Sequence, residues 1–340
     1  MGLEQAWYNG SRWLVLFRPL ELLFRSLARR RRQQFAHGTR QSWTAPVPVI
    51  VVGNITVGGT GKSPLVIWLV EHLRQQGYKP GVISRGYRAE PPTTPYFVTA
   101  VSSAAEAGDE PLMIVRRTGV ALVISPDRVA AARLLLEKTE CDLIISDDGL
   151  QHYALNRSIE IAVIDGVRGF GNRRCLPEGP LREPVERLNE VDLIVVNGAS
   201  PKTVLEAGHA EKAFPMALQP GDLVSLSTGC AVAADCWTDD REVNAVAAIG
   251  NPARFSDTLV ALGFKPRLHC FADHHHYTDT DLSFERSLPL IMTEKDAVKC
   301  DHIALENAWY LQVNAALGEG FSASLDRMLG DWLAAHKRAE

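Results

Sequence analysis

VIVVGNITVGGTGKSP, residues 49–64, runs from a β-branched stretch into glycines and then into the helical pattern Leu65, Val66, Leu69, Val70 and Leu73. Strand, glycine-rich loop and helix start follow one another in the order a phosphate cradle requires. Glycines let main-chain N–H groups converge on a phosphate, and the helix N-terminus adds its partial positive charge. The spacing assigns Thr56, Val57, Gly58, Gly59, Thr60, Gly61, Lys62 and Ser63 to a nucleotide triphosphate, with Lys62 on the β/γ oxygens and Ser63 on Mg²⁺. Pro64 fits the first helical turn, where its missing N–H costs nothing. The usual pattern has a glycine at position 56; Thr56 departs from it, and Gly58 and Gly59 keep the loop permissive.

Around this stretch, short apolar runs alternate with helical segments at 47–52, 81–84, 120–124, 142–146, 159–164 and 192–196. Continuous apolar strands of this kind predict a parallel sheet covered on both faces. The run DLIIS ends in Asp147 and Asp148, two carboxylates at a strand's carboxyl end, where open α/β sheets bind ligands and where these acids can serve a metal and its waters. From 201 to 240 the rhythm loosens, and MALQPGDLVSLSTG reads as two antiparallel strands turning at Pro220-Gly221, a connector. Strand runs at 243–250, 289–293 and 309–313, a helix from Pro252 to Leu262 and a terminal helix from Phe321 to Lys337 make a smaller α/β lobe over 241–340. The expected organisation is thus an Arg-rich N-terminal segment at 1–45, a P-loop nucleotide-binding lobe at 46–200, a connector at 201–240 and a second lobe at 241–340.

The 340 residues carry 36 Lys and Arg against 40 Asp and Glu, net −4, and are 46% hydrophobic, which excludes a disordered chain, a collagen repeat or a polytopic membrane protein. Residues 1–45 contain eight Arg, no Lys and two Glu, so +6 sits at one end and −10 on the rest. Trp13, Phe17, Leu20, Phe24 and Leu27 recur at helical spacing opposite Arg18, Glu21, Arg25, Arg29 and Arg32, and Pro19 starts a new turn or kinks the helix. The charges leave no span of about 20 apolar residues. The pattern predicts a helix in the plane of an anionic membrane surface, rather than one that caps the domain through its apolar stripe. The acidic remainder, with no basic stripe, gives no sign of a nucleic-acid partner, and no obligate protein partner is evident. Six scattered cysteines form no zinc or disulfide pattern and are expected to be reduced and mostly buried.

Three further constellations bear on the chemistry. GDEP places Asp109 beside a helix start, SRGYR puts Arg85 and Arg88 after the second strand, and FADHHHY clusters imidazoles with Asp273. Phosphoryl transfer to an alcohol needs a group that orients and accepts the hydroxyl proton, and cations on the transferring phosphate. The three histidines read as a catalytic imidazole beside a carboxylate, as a metal site in which at most two could share an ion, or as a solvated loop.

GNITVGGTGKSP, SRGYR, GDEP, DDGLQHY, LPEGPLREP (176–184), IGNPARF (249–255), FADHHHY and TEKDAVK (293–299), in this order, resemble the tetraacyldisaccharide 4′-kinase family of lipid A synthesis. The resemblance implies a P-loop NTPase-like parallel-sheet lobe and a smaller Rossmann-like α/β lobe joined by a β-ribbon, with an N-terminal amphipathic membrane helix. It implies an enzyme that uses ATP and Mg²⁺ to phosphorylate the 4′-hydroxyl of a tetraacylated glucosamine disaccharide 1-phosphate at the cytoplasmic face of the inner membrane, where lipopolysaccharide is made. It makes Lys62 a catalytic cation as well as a phosphate ligand, and Asp109 the group that takes or orients the hydroxyl proton, paired with His274 or His275. Ser63, Asp147 and Asp148 become the metal site. Arg85, Arg128, Gln151, His152, Arg182 and Glu183 stand in motifs expected to bind substrate. The rival reading is a P-loop NTPase switch or metallochaperone that docks partners; Thr293-Glu-Lys295-Asp296 lacks the Asn of a guanine-recognition motif.

Overall fold

The computed structural model describes residues 2–284 and 288–336. Its chain divides into two compact units, one of residues 1–85, 120–218 and 315–340, the other of residues 86–119 and 219–314.

The first unit is built on parallel strands in the order Ala213–Ser225, Leu193–Asn197, Ile159–Asp165, Val49–Gly53, Leu143–Asp147, Pro80–Ser84 and Leu122–Ile124. The strands at 49–53, 80–84, 143–147 and 193–197 are buried throughout, the burial that near-continuous Val and Ile runs demand. Helix Lys62–Gln75 covers the sheet through Leu65, Val66, Leu69, Val70 and Leu73, each fully buried. Pairing of Val52 with Asp147 sets the phosphate loop and the strand-end acids side by side. Both leave the carboxyl ends of neighbouring strands.

The second unit carries the parallel strands Lys265–Cys270, Glu242–Ala247, Leu290–Thr293 and Ala308–Leu317. One core lies on Val243, Ala245, Phe255, Leu259 and Ile291, and the other on Val246, Tyr277, Met292 and Cys300. Helix Pro252–Ala261 starts at Asn251, whose side chain accepts from Arg254 N.

Several boundaries differ from the sequence reading. Residues 86–119, which carry the strand Tyr96–Val98 and the helix Asp109–Thr118, group with the second unit although they interrupt the strand run of the first. The terminal helix, Glu319–His336, groups with the first unit: Phe321 lies 5.5 Å from the Trp68 ring and 5.6 Å from that of Phe214, and His72 bonds Asp326 at 2.8 Å. Lys337, its expected end, lies outside the described residues. Residues 213–225 are one strand rather than a hairpin at Pro220-Gly221. A Cβ on Gly221 would stand 2.9 Å from Asn314, so this glycine admits the neighbouring strand Ala308–Leu317 instead of making a turn. Each of these two adjacent strands has residues in both units. The six cysteines are free, and Cys230, Cys236 and Cys270 are exposed, contrary to mostly buried thiols.

At the N-terminus, helix Leu3–Tyr8 buries Ala6 and Trp7, a 3₁₀ turn spans Arg12–Phe17, and helix Arg18–Ala36 has Pro19 in its first turn. This helix packs on the first unit through its polar stripe. Arg18 makes a forked pair with Glu178, Glu21 is 1% exposed and accepts from Cys175 N at 3.4 Å, and Arg32 pairs with Glu190. Leu20, Leu23 and Leu27 on the other side remain 53–56% exposed. Of the apolar stripe, Leu20 and Leu27 thus stay outward, while Phe17 packs on the Ala6, Trp7 and Leu14 cluster and Phe24 is half-buried. Among the described residues no helix is long and apolar enough to cross a membrane.

Candidate active site

In the first unit the loop after Val49–Gly53 is shaped by its own glycines and pinned from outside. Gly58 and Gly61 take φ of +95° and +93°, values that favour glycine, and a Cβ on Gly61 would lie 2.7 Å from Asn197 Nδ2. Asn197 donates to Thr60 O at 3.1 Å, and Arg168, held by Asp165, donates to Gly59 O at 2.6 Å. LPEGPLREP lies along the loop: Val57 N donates to Pro180 O at 2.9 Å and Arg182 N to Ile55 O at 2.7 Å. Thr56, at the position where glycine is usual, is buried and forms a bridge with Leu181. Ser63 is buried in the first turn of the following helix.

Lys62 Nζ stands 3.4 Å from Asp148, and Arg182 contacts both oxygens of the same carboxylate at 2.9 and 3.1 Å. Burial opposes the charge on Asp148, but Lys62 and Arg182 outweigh it and hold its pKa down to about 2. Asp147 is buried and accepts from Ser84 Oγ at 3.2 Å. Ser63, Asp147 and Asp148 offer oxygen donors only, the ligand chemistry of a hard cation.

A supporting layer holds the remaining residues named from the sequence. Arg128, 2% exposed, donates to Ser125 O at 2.8 Å and Asp147 O at 3.2 Å, and burial lowers its pKa to about 10. His152 Nε2 accepts from Arg128 N at 3.3 Å; burial, and then the Arg128 charge, depress its pKa to about 4, so it stays neutral. Gln151 donates to Asn54 O at 3.0 Å and to Glu183 at 2.8 Å, and Tyr153 also bonds Glu183. Arg85 is exposed at the end of its strand. The structure thus gathers Lys62, Asp148 and Arg182 in one cluster, and ties Gln151 and Glu183 to the loop's base. Asn197 and Arg168 had no part in the sequence reading, and Tyr153 entered it only as the last residue of DDGLQHY. Asn197 at the polar end of the apolar strand 193–197 was the signal available.

In the second unit Asp109 opens helix Asp109–Thr118 and is 8% exposed. Gly108 before it takes φ +82°, and a Cβ there would meet Tyr87 O at 3.3 Å. His274 Nδ1 stands 2.9 Å from Asp109 Oδ2, and the Tyr87 ring lies 5.4 Å from the imidazole. His275 turns the other way, to Asp281 at 3.2 Å and the Phe271 ring, and His276 is exposed. Asp109 therefore pairs with His274, and the three imidazoles diverge. Among the described residues no group of three or more His, Cys, Asp or Glu is arranged to hold a metal ion, so the His-cluster metal reading fails.

The chain matches the sequence model of tetraacyldisaccharide-1-P 4′-kinase over residues 13–330. It is 52% identical over 335 residues to the tetraacyldisaccharide 4′-kinase of Pseudomonas putida strain W619, covering 98% of each chain. It is 51% identical over 332 residues to that of Pseudomonas aeruginosa strain LESB58, again over 98% of each. A crystal structure of LpxK from Aquifex aeolicus in complex with ATP superposes with a TM-score of 0.80 at 28% identity, covering 93% of this chain and 99% of that one.

Proposed function

The chain belongs to the tetraacyldisaccharide-1-P 4′-kinase family, and from that premise we propose that it transfers the γ-phosphate of ATP to the 4′-hydroxyl of a tetraacylated glucosamine disaccharide 1-phosphate in lipid A biosynthesis. The observation that carries the reading is the Lys62–Asp148–Arg182 cluster beside a glycine-shaped loop, in a chain that also pairs Asp109 with His274. Main-chain N–H groups of residues 56–63 take the β-phosphate, and Lys62, oriented by Asp148, neutralises the γ-phosphoryl as charge spreads over its oxygens. Arg182 shares Asp148 with Lys62 and is free to turn to phosphate when a nucleotide enters. Ser63, Asp147 and Asp148 would hold Mg²⁺. Its chemistry there would be to offset the negative charge of the phosphates.

Asp109 receives the proton of the 4′-hydroxyl. His274 Nδ1–H holds one carboxylate oxygen, which leaves the other to face the acceptor. Arg85, Arg128, Gln151, His152 and Glu183 act on substrate chiefly through the walls they build, since Arg128 and Glu183 are buried in bonds to neighbouring chain. Incubating the protein with ATP, Mg²⁺ and the disaccharide 1-phosphate should add one phosphate to the lipid by mass. ATP hydrolysis with no phosphorylated lipid would instead favour an NTPase switch.

The lipid acceptor stays in a bilayer, so the enzyme works at the membrane surface, and we assign this to the helix Arg18–Ala36. Its exposed Leu20, Leu23 and Leu27 can enter the acyl boundary while Arg29, Arg30 and Arg31 stay exposed to anionic head groups at the cytoplasmic face of the inner membrane. Leu23→Gln/Leu27→Gln changes no packed contact and should reduce co-sedimentation with phosphatidylglycerol vesicles by about tenfold. Unchanged pelleting would place the anchor elsewhere.

A further inference from the structure

TEKDAVK, residues 293–299, has no part in the mechanism above, yet it is the best-anchored polar segment of the second unit. Thr293 ends a buried strand and caps the short helix Glu294–Ala297, accepting from Asp296 N. Asp296 is fully buried. Its Oδ2 accepts from Thr293 Oγ1 at 2.6 Å and from Ala248 N at 3.0 Å, and Lys299 Nζ lies 2.6 Å from Oδ1. A helix fixed in this way makes a rigid post.

From that post Lys295 reaches outward and donates to Glu110 Oε1 at 3.2 Å and to Asp273 Oδ1 at 3.3 Å. Glu110 follows Asp109, and Asp273 precedes His274, so one ammonium ties together two chain segments whose reacting residues are 165 positions apart. Burial opposes the charge on Lys295, but Glu110, Asp273 and Asp109 outweigh it and raise its pKa above the ordinary lysine value. The tie has work to do, because His274 adopts φ +63°, a left-handed conformation that strains a non-glycine residue. Such a conformation persists only where its surroundings over-determine it. Arg88, donating to Asp273 O at 3.4 Å, and His302, bonded to Tyr277 O at 3.0 Å, hold the same loop more weakly or farther from the imidazole.

We propose that Lys295 is a positioning residue for phosphoryl transfer: by clamping Glu110 to Asp273 it holds the His274 imidazole against Asp109. This rests on the assignment of Asp109 and His274 as the reacting pair.

The test compares the full-length parent with Lys295→Met, Lys295→Arg, His274→Ala and the Lys295→Met/His274→Ala double variant, each assayed for kcat, KM for ATP and thermal melting. Lys295→Met should lose about 10- to 100-fold in kcat with KM for ATP within about twofold, since the misplacement falls on the acceptor side. Lys295→Arg, which keeps charge and reach, should recover most of that loss. On the His274→Ala background Lys295→Met should cost less than about twofold, because a residue acting through another has nothing left to position. If Lys295→Met shows no melting transition, Glu110→Ala removes the other end of the clamp and is read with the same expectations. Parental kcat in Lys295→Met, or an equal loss with and without His274, overturns the clamp. Parental kcat in His274→Ala would overturn the reacting pair instead.

Discussion

The glycine-rich loop proposed to hold phosphate is one run of consecutive positions, residues 56–63, and takes φ near +90° only at Gly58 and Gly61. The Asp109–His274 pair joins residues 165 positions apart and places a histidine, not a glycine, in the left-handed region. Both clusters are charged and largely buried, but they are stabilised by different means. The loop is held by main-chain bonds from Arg182 N and Val57 N, which any sequence of this backbone shape could make, and by two side-chain donors, Asn197 Nδ2 and Arg168, on its carbonyls. The pair is held by side-chain charge, through Lys295, Glu110 and Asp273. A cradle for phosphate can be encoded locally, whereas a proton acceptor for a bulky lipid has to be assembled from distant loops.

The sharpest break of this contrast comes from removing one charge on each side. Lys62→Ala should lower kcat by about 10³-fold or more and raise KM for ATP, because the cation acts on the transferring group itself. Asp109→Asn should cost about 10²-fold in kcat and leave KM for ATP near the parental value. Equal effects of the two on ATP binding would dissolve the division of labour.

A smaller effect separates the clusters by pH. His152 has a folded-state pKa of about 4, below the roughly 6.5 of an unfolded histidine. Both states are neutral above pH 6.5. Between 6.5 and 4 the unfolded chain takes up a proton that the folded one refuses, so stability falls with pH across that window. His152→Gln should flatten the decline in melting temperature between pH 7 and 4.5; the same slope in both proteins would mean that the buried imidazole does not contribute to it.

The least effect probes backbone strain. His274→Gly should melt above His274→Ala, by the equivalent of about 1 kcal/mol, because glycine accepts φ +63° without cost. At Gly61, which already holds glycine, no such gain exists. If the alanine variant were the more stable, the strain at residue 274 would be absent.

Legibility followed the same divide. The nucleotide loop, the apolar helix face behind it and the acids at 147 and 148 could be read because each is a pattern within about 25 consecutive residues. The choice of His274 over His275 could not, since adjacent histidines differ only in the loop's backbone turn. Nor could the burial of Glu21 and the exposure of Leu23 and Leu27. Periodicity marks two faces of a helix but not which one finds a partner, and here Glu178 and Glu190 supplied a partner for the polar one.

By itself, then, the sequence determined that strands alternate with helices, that a phosphate loop follows the first of them, and that its end is basic and amphipathic. Tertiary structure alone decided that residues 86–119 join the distal unit, that the terminal helix docks on Trp68 and Phe214, and that Lys295 bridges the segments bearing Asp109 and His274. The physical reason is range. Propensity, glycine freedom and hydrophobic period act between neighbours along the chain, while packing and charge pairing depend on distances in space that only the closed fold creates.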